Sequence, residues 1–204
     1  VGGIYTVIAT KALNLKAEYK RHHILIGPDV WMHTASNPDF TEDPLLFKSW
    51  KAAAAAEGLR VRIGKWNVPG QPIAILVDFK QFITSQNEIL TEYWKRFGVD
   101  SLTGNWDYKE SALFGYAAGK VIESFYKYNN LFPSDKVVAQ FHEWMTGAGL
   151  LYIKGTGLPI ATAFTTHATV IGRCIAGNNL PLYDALDSYD ADAKAREFNV
   201  IARH

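Results

Sequence analysis

A chain of 204 residues with 48% apolar and 20% charged residues suits one substantial folded domain and excludes disordered, fibrous and repeat compositions. Lys and Arg number 21 against 20 Asp and Glu, a net charge of +1 with no block of like charge, so nucleic acid and anionic membrane find no electrostatic footprint. The single cysteine, Cys174, excludes an internal disulfide and a thiolate zinc site and suits a reducing cytoplasm, while no apolar run approaches the ~20 residues of a membrane span.

The chain opens without Met on Val1-Gly2-Gly3, with no secretory leader pattern, and reads as a fragment whose first residues precede Val1. Ile4, Val7, Ile8, Ala12 and Leu13 then recur at helical spacing, which predicts a helix to about Leu15 with glycines at its start. His23 to Pro28 is a short apolar run stopped by Gly-Pro, the pattern of a buried parallel strand. The stretch through Pro44, rich in Pro, Asp, Asn and Thr, reads as loop. Ala52 to Ala56 signal a helix from about Leu45 to Glu57, stopped by Gly58. Leu59 to Trp66 alternate apolar with basic residues, as an edge strand with one wet face does. Asn67-Val68-Pro69-Gly70 is a turn, and Pro72 to Asp78 return as a buried hairpin partner.

A helical pattern from Gln81 to about Phe97 carries Tyr93, Trp94 and Phe97 as packing residues and is broken at Gly104-Asn105-Trp106. The longest amphipathic candidate follows, Tyr108 to Tyr128, with Leu113, Tyr116, Ala117, Val121, Ile122 and Phe125 on one core-facing stripe. Lys136 to Phe141 then read as a strand, His142-Glu143-Trp144 as a polar join and Met145 to Ile153 as a helix. Leu158 to Phe164 repeat the strand, and the residues around His167 open another helix. Two strand–helix units in succession predict parallel βαβ construction and an α/β fold. The tail from Pro181 has little periodicity until a last helix near Ala191.

Ligands of open α/β sheets bind beyond the carboxyl ends of the strands, and three features fall there. Gly2-Gly3 leave backbone N–H groups free at a helix N-terminus, which favours an anion such as phosphate. That signal is weak alone, because the Gly-x-Gly-x-x-Gly fingerprint and a Gly-Lys-Ser/Thr phosphate loop are absent. Glu143 is placed to accept from sugar hydroxyls beside Trp144 as an aromatic wall; equally, Glu143 is a first-turn acid favoured by the helix dipole and Trp144 is core. Adjacent His142 and Glu143 diverge and lack the His-Glu-x-x-His spacing, which disfavours a metal. The third feature is His167, either a space-filler beside a strand whose following helix is capped by Thr165 or Thr166, or a group that does chemistry. Arg173, six residues on, shares a side of that helix loosely and has a guanidinium suited to a phosphate or sugar oxygen. No Gly-x-Ser-x-Gly elbow is present, and Cys174 has no partner that sequence identifies.

Val1 to Ala12, Ile26-Gly27-Pro28, Ala112 to Tyr116, Phe141-His142-Glu143-Trp144 and Phe164 to Arg173, together with the paired strands around Trp66 and Ile75, resemble in order the N-terminal domain of eukaryote-type glycogen synthases. The resemblance runs over essentially all of 1–204. It implies a Rossmann-like three-layer domain with a mainly parallel sheet, the acceptor-side N-terminal half of a two-domain GT-B-type glycosyltransferase, incomplete at both ends and without the C-terminal nucleotide-binding domain. The implied activity is cytoplasmic and retaining: glucose passes from UDP-glucose to the 4-hydroxyl end of an α-1,4-glucan, with no metal or other cofactor, no nucleic acid and no membrane, and a homo-oligomer of the whole protein is left open.

In that family the residue matching His167 lies beside the donor glucose, which makes His167 the catalytic candidate. The one matching Arg173 helps contact the donor, and the Gly2-Gly3 turn approaches the donor phosphates, helped by a lysine expected just before Val1. A fragment lacking the second domain is expected to be inactive alone. The competing reading is a non-catalytic glucan-binding or scaffold module stacking sugars on Trp144, Trp66 and Tyr152. A nicotinamide-dependent enzyme is disfavoured by the missing glycine fingerprint.

Overall fold

A computed structural model of the chain describes residues 3–30 and 37–200. The amphipathic stripe becomes the spine of the fold as helix α4, Trp106–Tyr128, capped by Asn105, whose side chain accepts from the Tyr108 backbone N–H at 3.0 Å. Leu113, Ala117 and Val121, four residues apart, share one face of α4 and are fully buried. Helix α2, Lys48–Ala56, packs on α4 through Trp50, which is buried, meets Phe125 edge-on and donates its indole N–H to Ser124 Oγ at 3.2 Å.

Under these helices lies a four-stranded sheet of β1 (Ile24–Pro28), β2 (Phe40–Glu42), β3 (Val61–Trp66) and β4 (Ile73–Val77), in the order β1-β4-β3-β2. β1 and β4 are parallel, and β3 and β4 form the expected antiparallel hairpin. Two expectations fail here. The stretch before Pro44 is not wholly loop, because β2 pairs antiparallel with β3, and so β3 is an interior strand and not an edge. Gly64 permits that approach: a Cβ there would stand 2.1 Å from the Thr41 carbonyl oxygen. Of the basic residues that suggested a wet face, Arg62 is paired, bridging Glu42 at 3.0 Å and buried Asp29 at 3.4 Å. With β2 and β3 both antiparallel to their neighbours, this sheet is mixed, which corrects the expectation of a mainly parallel one.

The second half supplies β5 (Val138–His142), α5 (Gly147–Thr156), β6 (Ala161–Thr165), α6 (Val170–Gly177) and α7 (Ala191–Glu197). β5 and β6 are parallel in register His142 opposite Thr165, the βαβ unit the sequence predicts. α5 crosses α4 where two glycines meet. A Cβ on Gly149 would lie 2.6 Å from the Gly115 carbonyl oxygen and 2.8 Å from the Phe141 ring, so the helices touch backbone to backbone. Gly149→Ala is therefore expected to lower stability by about 2 kcal/mol through overpacking, read as a shifted urea midpoint. Outside this core, α1 (Gly3–Tyr19) has only Ala12 buried. It rests on the β3–β4 turn, where Gly70, at φ +92°, comes within contact of Leu13 and Tyr5 meets Trp66 edge-on at 5.2 Å. Helix α3, Gln86–Phe97, buries Tyr93, whose hydroxyl donates to the Ala148 carbonyl at 2.8 Å, and leaves Trp94 exposed. Among the described residues no helix is long and apolar enough to cross a membrane.

Candidate active site

β5 and β6 end side by side, and each delivers one histidine. The alternation of β5 buries Ala139 and Phe141 against α5 and turns His142 to the other face. β6 ends at Thr165, and α6 begins only at Val170, capped by Thr169, whose Oγ1 accepts from the Gly172 N–H at 3.0 Å. The cap is thus neither Thr165 nor Thr166, and His167 lies in the join between strand and helix instead of opening the helix. Here the two rings meet, His142 Nδ1 to His167 Nε2 at 3.0 Å, with centroids 5.3 Å apart and planes 23° from parallel.

Glu143 holds this join in place. Its carboxylate is buried and one oxygen, Oε1, accepts from the backbone N–H of both His167 (2.5 Å) and Ala168 (3.0 Å). Its own N–H donates to the Thr165 carbonyl at 2.9 Å, and Thr146 Oγ1 donates to its carbonyl at 3.1 Å. To do this the residue adopts φ +66° and ψ 166°, a backbone conformation that side chains other than hydrogen rarely take. Burial pushes the Glu143 carboxyl up, but the His167 and Ala168 N–H bonds outweigh it and hold the group below the ordinary glutamate range. A carboxylate committed to two backbone donors acts first as a clamp on the His167 join. It is more than a first-turn acid favoured by the helix dipole.

His142 is held below the ordinary histidine range, first by burial and then by the charges of His167 and of Lys11 on α1, with Glu143 opposing. Gly3 starts α1 and is exposed; Gly2 lies outside the described residues. Trp144 is 49% exposed and not core, its ring stacked on Tyr108 at 6.4 Å, which leaves it available as an aromatic wall. Arg173 is exposed on α6 and makes no ion pair among the described residues. The structure therefore brings His167, Glu143 and Trp144 together at the strand ends and leaves Arg173 outside that hydrogen-bonded group. His142, not singled out on its own by sequence reasoning, is the fourth member; its signal was its place at a strand end in the same register as the strand leading to His167.

Of the rings a glucan-binding module would use, Trp66 is half-buried and met by Tyr5, and Tyr152 is half-buried with its hydroxyl bound to Glu123 and its ring edge-on to Tyr116. Only Trp144 of the three is widely open. Among the described residues no three His, Cys, Asp or Glu side chains gather as a metal centre requires.

A family model described as glycogen synthase matches residues 1–204. The chain is 32% identical over 209 residues to "Glycogen [starch] synthase" of Dictyostelium discoideum, covering 100% of the chain and 23% of that relative. It is 32% identical over 206 residues to "Glycogen [starch] synthase, liver" of Mus musculus and 30% identical over 212 residues to "Glycogen [starch] synthase" of Neurospora crassa, in each case 100% of the chain and 29% of the relative. The chain spans about a quarter of the length of the curated relatives it matches.

Proposed function

Because the chain belongs to the glycogen synthase family, we propose that it supplies the acceptor-side, N-terminal Rossmann-like half of a two-domain, GT-B-type retaining glucosyltransferase. The reaction takes glucose from UDP-glucose to the 4-hydroxyl at the non-reducing end of an α-1,4-glucan, in the cytoplasm, with no metal or further cofactor. A second, nucleotide-binding domain of the longer protein completes the site. The observation that carries this reading is the imidazole pair at the carboxyl ends of β5 and β6, backed by a buried carboxylate. This is where an open α/β sheet receives its ligand.

In this reading His167 contacts the donor glucose, Glu143 fixes the backbone that carries it, and Trp144 offers a ring face to sugar. Gly2, Gly3 and Arg173 attend the donor phosphates. As the bond to the anomeric carbon breaks, the departing pyrophosphate gains negative charge. N–H groups and cations aimed at it then stabilise the transition state more than the bound donor. Closure of a second domain over this exposed surface also removes water from the bond being broken.

The test compares a full-length synthase carrying this chain with residues 1–204 alone, using labelled UDP-glucose and glycogen. Transfer with retained anomeric configuration by the former and none by the latter is the expected result. Robust transfer by 1–204 alone overturns the division of the site between two domains, and failure of the full-length protein overturns the activity.

A further inference from the structure

His142 ends β5 with Phe141 and its core on one side and the candidate site on the other. Among the described residues its ring meets His167 at hydrogen-bond distance, and the charges of Lys11 and Glu143 act on it in opposite directions. A bond between two neutral imidazoles needs one N–H and one lone pair. Whichever ring donates, the state of His167 Nε2 fixes the state of its other nitrogen, Nδ1. With Nε2 tied to His142 and the backbone N–H tied to Glu143, Nδ1 is the ring nitrogen of His167 that no other side chain engages among the described residues. Burial first, and then the charges of His167 and Lys11, with Glu143 opposing, hold His142 below the ordinary histidine range and disfavour a second proton on its ring.

We propose that His142 is a positioning residue for glucosyl transfer: through Nδ1 it aims the His167 ring and couples the tautomer that His167 presents to the donor sugar to its own. This rests on the reading of His167 as a donor contact and goes beyond it by naming the group that makes His167 competent. It acts as second-ring partners of catalytic histidines do, by fixing which nitrogen carries the proton.

The experiment uses the full-length synthase with His142→Ala, His142→Asn, His167→Ala and the His142→Ala/His167→Ala double variant. His142→Ala is expected to lower kcat about thirtyfold, with the donor KM within about threefold, because a misaimed ring costs orientation and not binding. His142→Asn, whose side-chain amide reaches the place of Nδ1, is expected to recover kcat to within about fivefold of the parent. The double variant is expected to be no slower than His167→Ala alone, since a residue acting through another has nothing left to act on. Additive losses, equal losses in the Ala and Asn variants, or a change in KM alone overturn the proposal. A second readout does not depend on turnover. In protein labelled with 15N-histidine, the His167 ring should show one tautomer in the parent and a mixture in His142→Ala. An unchanged His167 signal overturns the proposal even if the donor-contact reading stands, whereas an unimpaired kcat in His167→Ala with a changed signal removes only that reading.

Discussion

His167→Ala, made in a full-length synthase that carries this chain, is expected to lower kcat by about two orders of magnitude while the melting temperature falls by only a few degrees. The asymmetry follows from how His167 is held. Its contribution to the fold runs through its backbone N–H, which donates to Glu143, and alanine keeps that bond. Its ring is half-buried and gives up one hydrogen bond, to His142, worth about 1 kcal/mol. His142, which keeps the other end of that bond, is half-buried and not sealed in the core. A ring serving only to fill space would behave the other way, losing activity in proportion to folded protein. Initial rates with saturating UDP-glucose and a thermal melt on the same preparations separate the two; parallel losses would return His167 to the role of packing.

Much of this arrangement was legible because periodicity is a physical consequence of burial. The stripe of Leu113, Ala117 and Val121 and the apolar residues of β4 and β5 are written into the sequence by the surfaces they cover, whereas β6, which reads as a buried strand, buries none of its residues and leaves Phe164 49% exposed. The placement of His167 and Glu143 just after strands followed from the same patterns. What was not legible depends on contacts between distant residues. β2 has three residues and no period of its own; it exists because Gly64 lets it lie against β3 and because Glu42 meets Arg62 there. Thr165, Thr166 and Thr169 are equally good caps by composition, and the choice fell to Thr169 because Thr165 was taken up by pairing with β5. The clamp from Glu143 to the backbone of 167 and 168 spans 24 and 25 residues and leaves no local trace. Nor does a positive φ at a glutamate, since the usual signal for that conformation is glycine. Trp144 was ambiguous for a related reason: an aromatic residue after a strand is core unless its neighbour turns it outward, and here the strained backbone of Glu143 immediately precedes it.

Glu143→Gly and Glu143→Ala should separate the backbone of this residue from its carboxylate. At φ +66° and ψ 166° any side chain costs roughly 1–3 kcal/mol, a strain that glycine alone relieves. Both variants lose the carboxylate that accepts from His167 and Ala168, bonds to a charged group worth roughly 1.5–3 kcal/mol each before water replaces them. Glu143→Ala keeps the strain and loses the bonds, so it is expected to be the less stable by at least about 1 kcal/mol. Yet kcat is expected to fall by about two orders of magnitude in both, because the join carrying His167 has lost its anchor in each. Recovery of activity in the glycine variant would show that backbone shape, and not the carboxylate, serves the site. The charge itself is read by pH. The Glu143 carboxyl lies below its unfolded value of about 4.3, so it contributes stability above that pH and loses it as pH falls through the lower folded value. The melting-temperature gap between the parent and Glu143→Gln is therefore expected to be constant near neutrality and to close in acid, below about pH 4. A gap that widened on acidification would mean that the folded protein holds this carboxyl protonated, and the clamp on His167 would then have to be a neutral one.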